Sequence, residues 1–159
     1  MLKDKIKGLN ALKKITAALQ KKGKKIVFTN GCFDLLHFGH AKYLEEARLK
    51  GDILVVGVNS DASVKKIKGD KRPILQEKYR AGLVAALESV DFVVLFNEDT
   101  PSKVIELLEP DILIKGADWD LKNIVGSDFV LKKGGRVCTI NLVKGLSTTN
   151  LIKRIIEKF

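Results

Sequence analysis

Apolar residues recur near the start of the chain at Ile6, Leu9, Leu12, Ile15 and Leu19, a spacing of three and four that gathers one helical face. It predicts one amphipathic helix over Lys3 to Lys22, ended at Gly23. Lys25 to Thr29 then reads as a short buried strand, and the turn-forming pair Asn30-Gly31 leads to a helix over His37 to Lys50, stopped by Gly51. Ile53 to Val58 is a strand rich in β-branched residues. The polar, basic stretch Ser60 to Lys71 has room for a short helix but resembles a functional loop more than core. A helix over Gln76 to Glu88 and a strand over Phe92 to Phe96 come next. Thr100 and Pro101 are suited to cap and open a helix ending near Glu109. Ile112 to Ile114 is the next strand, Phe129 to Lys133 is helical, and Val137 to Leu142 is a last strand before a helix over Ser147 to Lys158.

Strands alternating with helices predict an α/β fold: right-handed βαβ units around a mostly parallel, doubly wound sheet with helices on both faces. At 159 residues a single domain is expected, an amphipathic helix over 1–23 preceding an α/β core over 24–159. Ligands in such sheets bind beyond the carboxyl ends of the strands, where strand order reverses.

Composition narrows this further. The longest apolar runs are too short for a bilayer, and the lysine-rich start lacks the apolar stretch of a signal peptide. Two cysteines without paired spacing fit a reducing compartment, so a cytoplasmic protein without membrane attachment is expected. The formal charge is +10, and nine lysines fall in the first 25 residues. That charge raises a basic nucleic-acid-binding module as one reading. No aromatic residue occurs before Phe28, so the lysines read better as a solvated face or a field for anionic substrates, and nucleic acid is not the expected partner.

The residues that carry chemistry follow the strands. After the first come Asn30, Gly31 and Phe33, then His37-Phe38-Gly39-His40 opening a helix. A helix start offers free N–H groups and a positive dipole end to phosphate. His37 and His40, three apart, share its face, while Gly39 lets a ligand approach the backbone. Ser147, Thr148 and Thr149 open the last helix as a second anion cradle. Lys115, Gly116, Asp118 and Trp119 follow the fourth strand, where Lys115 is placed for a phosphate and Asp118 for ribose hydroxyls or a metal. Lys68 sits in a lysine-rich loop, with Arg80 in the helix beyond. There is no GxGxxG turn, no GxxxxGK[ST] loop and no zinc-ligand set, which argues against a dinucleotide oxidoreductase, a P-loop enzyme and a zinc protein.

The runs TNGCFDLLHFGH, VNSDASVKKIKGDKRP, KGADW and GLSTTNLIKRI, in that order, resemble the HxGH nucleotidyltransferase superfamily of the cytidylyltransferase-like kind. Within it the chain looks most like heptose 1-phosphate adenylyltransferases, over nearly all of residues 24–159. The resemblance implies a Rossmann-like nucleotidyltransferase domain. It also implies transfer of AMP from ATP to D-glycero-β-D-manno-heptose 1-phosphate, giving ADP-heptose and pyrophosphate for lipopolysaccharide core synthesis. His37, His40 and Lys68 would be catalytic. Ser147, Thr148 and Thr149 would hold the β- and γ-phosphates, Arg80 would match a basic residue of the family, and Phe33, Asp118 and Trp119 would line the nucleotide. Mg²⁺ would arrive with ATP, held mainly by substrate phosphates. The resemblance also implies a homodimer and a sugar kinase on a separate chain. Trp119, where heptose enzymes often carry tyrosine, keeps open a cytidylyltransferase using glycerol 3-phosphate or another phospho-alcohol. Glu77 stands one place from the family's glutamate and gains no role from it.

Overall fold

A computed structural model describes residues 1–159. Five strands form one sheet: β1 (Ile26–Gly31), β2 (Ile53–Asn59), β3 (Phe92–Phe96), β4 (Ile112–Gly116) and β5 (Arg136–Ile140). Their order is β3-β2-β1-β4-β5, and every pairing is parallel. The chain therefore steps outward from β1 to β3, crosses back over β1, and continues outward on the other side. Strand order reverses between β1 and β4.

Alternation along the strands divides the core into two layers. Val27, Leu54, Val56 and Ile114 pack beneath α3 (Phe38–Arg48) and α5 (Glu77–Ala86), with Tyr43, Leu44, Val84 and Ala85 filling that layer. Ile26, Phe28, Val55 and Val94 face the opposite way, against α2 (Leu9–Lys21), α6 (Ser102–Leu108) and α7 (Ser127–Lys132), where Leu12, Ile105 and Val130 are buried. No helix is long and apolar enough to cross a membrane.

The structure departs from the sequence reading in several places, and β1 and β4 run on through Asn30-Gly31 and Lys115-Gly116, which the sequence reading set after those strands. The single first helix is two, α1 (Leu2–Lys5) and α2, because Ile6 leaves the helix to bridge Val93 while Lys7 N–H donates to the Val93 carbonyl at 2.9 Å. That bridge covers part of the exposed edge of β3, and Gly8, a poor interior helix residue, becomes the N-cap of α2. The basic stretch after β2 is mostly helix, α4 (Asp61–Lys68), capped by Ser60, whose side chain accepts from Ser63 N–H. Pro101, not Thr100, occupies the cap position of α6. The last strand stops at Ile140, so Leu142 belongs to the loop before α8 (Thr148–Lys158). Gly23 ends α2 as expected: it adopts φ +79°, and its N–H and that of Lys24 reach back to Gln20 and Leu19 carbonyls.

Carboxylates fasten the amino ends of the strands. Asp111 accepts from Ile26 N–H at 2.9 Å, Gln20 Nε2 at 3.1 Å and Lys25 Nζ at 3.1 Å, tying α2, β1 and β4 together. Asp91 accepts from Leu54 N–H and pairs with Arg48. The opposite ends of the strands stay open.

Burial raises the Asp111 pKa, but the Ile26, Gln20 and Lys25 donors outweigh it and hold the carboxyl below the usual carboxylate range. Its stabilisation is thus complete above the unfolded value and is lost as pH falls through the lowered folded value. Asp111→Asn is expected to lower unfolding free energy by roughly 1–3 kcal/mol at neutral pH. In urea titrations the gap to wild type should close in acid. A gap unchanged at low pH contradicts this account.

Candidate active site at the strand-order reversal

The carboxyl ends of β1 and β4 lie side by side, and Lys115 Nζ spans them to donate to Asn30 Oδ1 at 3.0 Å. Here a cleft opens with two lobes, of about 500 Å³ and about 330 Å³. His40, Lys68, Lys115, Ser147 and Thr148 line both lobes and form the wall between them.

His37 is the N-cap residue of α3 and His40 lies in its first turn, so their imidazoles stack with centroids 3.8 Å apart. Gly39 makes the stack possible, since a Cβ there would stand 3.0 Å from the His37 ring. Phe33 closes the other side, edge-on to His40 at 5.2 Å. To do so it adopts φ +48°, a left-handed conformation that costs a non-glycine residue energy and is concentrated at functional sites. The Nδ1 atoms of both histidines are buried without a hydrogen-bond partner. Burial, reinforced by the neighbouring His37, pulls the His40 pKa down to about 4. Burial also pulls His37 below its ordinary value. Both rings are therefore neutral at pH 7 and under-bonded, which is costly in a fold and useful at a ligand site.

Facing them is the start of α8, where Ser147 caps the helix by accepting from Asn150 N–H at 3.1 Å and Thr148 opens the first turn. Lys115 reaches the wall from β4, and burial pulls its ammonium below the usual lysine pKa while the charges of Cys32 and Asp118 oppose this. Its Nζ lies 5.5 Å from the Trp119 ring centroid. Beneath the smaller lobe the Tyr43 hydroxyl pairs with Thr29 Oγ1 at 2.8 Å, and burial pushes its pKa up to about 12.

The smaller lobe gathers His37, Gly39, Gly116 and Asp118, and Thr149 lies on the larger one. Asn30, Gly31, Phe33 and Trp119 border both. Arg80 is placed elsewhere, a correction to the sequence reading. It is fully buried, and its guanidinium donates to the Leu75 and Cys32 carbonyls and to Asp61 Oδ1, so it holds the site's scaffold and is not available to a nucleotide. Glu77 accepts from Asp61 N–H at 2.7 Å and so fixes the start of α4. Sequence reasoning missed Asp34, Arg72 and Asn59, all on the larger lobe. All three stand inside the motif runs, but the pairing of Asp34 with Arg72 across 38 residues has no local signature. No three His, Cys, Asp or Glu side chains gather as a metal cage.

Residues 28–154 match the sequence profile of the cytidylyltransferase-like family. The bifunctional protein HldE of Citrifermentans bemidjiense is 55% identical over 155 residues, which cover 98% of this chain and 32% of that protein. That of Geobacter metallireducens is 53% identical over the same shares. The chain thus spans about a third of the length of these relatives. The crystal structure of the lipopolysaccharide core biosynthesis protein from Thermoplasma volcanium superposes with a TM-score of 0.63 at 32% identity, covering 77% of this chain and 98% of that one. The pantoate-beta-alanine ligase of Francisella tularensis, at 14% identity and a TM-score of 0.61 over 96% of this chain and 78% of that one, shares the fold.

Two histidines make the electrostatics directly measurable. In an NMR titration of the free protein the His40 ring should titrate near about 4, far below the ordinary 6.5. A ring kept neutral by burial costs stability only where the unfolded chain protonates. Its contribution is therefore whole above pH 6.5 and falls as pH drops from there towards about 4. Saturating ATP should move the midpoint upward, because phosphate favours the imidazolium. A free-protein midpoint near 6.5, unmoved by ATP, contradicts the geometry.

Proposed function

The chain belongs to the cytidylyltransferase-like family, and from that premise we propose that it transfers AMP from ATP to D-glycero-β-D-manno-heptose 1-phosphate, releasing pyrophosphate. One observation carries the reading. Two lobes meet at a wall of His40, Lys68, Lys115, Ser147 and Thr148, as a reaction joining two phosphate-bearing substrates requires.

The smaller lobe suits the nucleotide. The starts of α3 and α8 border it through His37, Gly39 and His40 and through Ser147 and Thr148, bringing positive dipole ends and first-turn N–H groups to the lobe, and Gly116, Asp118 and Trp119 border the space for ribose and base. The larger lobe then takes the sugar phosphate. An oxygen of the acceptor phosphate attacks the α-phosphorus in line. The new P–O bond forms as the bond to the β-phosphate oxygen breaks, and pyrophosphate leaves with that electron pair. The chain supplies no nucleophile of its own, so its contribution is position and charge.

His40 donates from its imidazole to an α-phosphate oxygen, where negative charge grows, and is better paired there than in the free protein. His37 stacks on it and supports the same oxygens, Lys68 and Lys115 balance the charge of both substrates, and Ser147 and Thr148 hold the departing phosphates, with Thr149 at the larger lobe's edge of the same helix start. Mg²⁺ accompanying ATP fits a site with separate carboxylates and no cage: phosphate oxygens and water would form most of its shell, with Asp118 the carboxylate of the smaller lobe. Bound there, it would neutralise phosphate charge.

A pyrophosphate-release assay tests this directly. Heptose 1-phosphate with ATP should turn over and yield ADP-heptose, and turnover with CTP and glycerol 3-phosphate alone would overturn the reading. His40→Ala should lower kcat by about a hundred- to a thousandfold, as loss of one transition-state donor does. KM for ATP and the melting temperature should change little. Near-normal kcat in the folded variant would remove His40 from the reaction.

A further inference from the structure

The run Val58 to Pro73 carries one cavity-lining cation that the reaction above does not use. We propose that Arg72 binds the phosphate of the acceptor in the larger lobe and that Asp34 is the positioning residue that holds it there. The inference rests on the reading of the chain as an enzyme that joins a nucleotide to a phosphomonoester.

Asp34 is fully buried within the β1–α3 connection. One carboxylate oxygen accepts from Ile74 N–H at 2.8 Å and Leu75 N–H at 2.9 Å, and the other pairs with Arg72 Nε. Burial raises the Asp34 pKa, but the Leu75 and Ile74 N–H groups and the Arg72 guanidinium overcome this and hold the carboxyl below the usual range. It therefore stays ionised through neutral pH and fixes the guanidinium plane. Arg72 is bound to the chain only through Nε and its backbone, and its side chain is 16% exposed. Both terminal nitrogens are free for a second anion, and their fork suits the paired oxygens of a phosphate.

The lobes decide which phosphate. Arg72 lines only the larger one, whereas His37, Gly39 and Asp118 line only the smaller. Asn59, 3% exposed, and Lys68 of the dividing wall line the same lobe as Arg72. An acceptor phosphate must approach a triphosphate of like charge, and a cation behind it lowers that repulsion. Arg80 contributes from below: by bonding the Leu75 and Cys32 carbonyls it fastens the segment bearing Arg72 to the turn bearing Asp34.

The test uses the whole chain and the variants Arg72→Gln, Arg72→Lys and Asp34→Asn, each checked for melting temperature. With ATP saturating, Arg72→Gln should raise KM for heptose 1-phosphate by about ten- to a hundredfold, the range for losing a charged hydrogen bond. KM for ATP should stay within about twofold, since smaller lobe contacts are untouched. Arg72→Lys should fall between, because an ammonium has no fork to span carboxylate and phosphate together. Asp34→Asn should raise the acceptor KM alone while Arg72 remains in place. A second arm titrates methyl phosphate into ¹⁵N-labelled protein holding a non-hydrolysable ATP analogue, where wild type should bind it and Arg72→Gln should bind it more weakly. Equal rises in both KM values, a lower melting temperature with unchanged acceptor KM, equal methyl phosphate binding in both proteins, or none by wild type each overturns the proposal. If wild type releases no pyrophosphate with heptose 1-phosphate, the reading of the reaction fails, and the methyl phosphate arm alone decides Arg72.

Discussion

The site exists because the sheet is wound in two directions from β1. Connections leaving β1 and β4 run to opposite faces, so nothing covers the gap between their carboxyl ends. Lys115 bridges that gap to Asn30 and marks its floor. The starts of α3 and α8 are brought to the same edge, which places two sets of free helix N–H groups around one cleft. The fastening of the strands at their other ends by Asp111 and Asp91 keeps stability and chemistry on opposite sides of the sheet.

Charge within the cleft is arranged at a cost to the free protein. His37 and His40 are half-buried, neutral, stacked rings whose Nδ1 atoms are buried and unpaired, and Lys115 is held among groups that desolvate it. Phe33 stays in a left-handed conformation to complete the wall. A substrate bearing several phosphates supplies the missing partners, so these unfavourable features relax when it binds and relax most where its charge grows during reaction. Neighbouring cations that serve structure are engaged differently. Arg80 bonds through each of its three guanidinium nitrogens, to the Leu75 and Cys32 carbonyls and to Asp61, whereas Arg72 bonds through Nε and leaves both terminal nitrogens open.

Most of the architecture is legible from periodicity, because β-branched runs and helical stripes are local signals, and β3 was readable to its last residue. The first helix was not. Ile6 fits a helical stripe, and only its pairing with Val93, far along the chain, pulls it out. The candidate site was legible where residues stand at or beyond the carboxyl ends of the strands, as with His37, His40, Lys115 and Ser147, which the fold brings to one cleft. It failed at Arg80, since a basic residue in a motif looks the same whether it faces substrate or carbonyls. It also failed at Asp34 and Arg72, joined across 38 residues by a contact that only the fold creates.

The most direct test of this account is a crystal structure with the product, ADP-heptose, bound. The account predicts adenosine in the lobe of Gly116, Asp118 and Trp119, heptose in the lobe of Asn59 and Arg72, and the diphosphate bridge against His40 and Lys68 on the dividing wall. Both halves of the product in one lobe, or a diphosphate bridge away from His40, would contradict it.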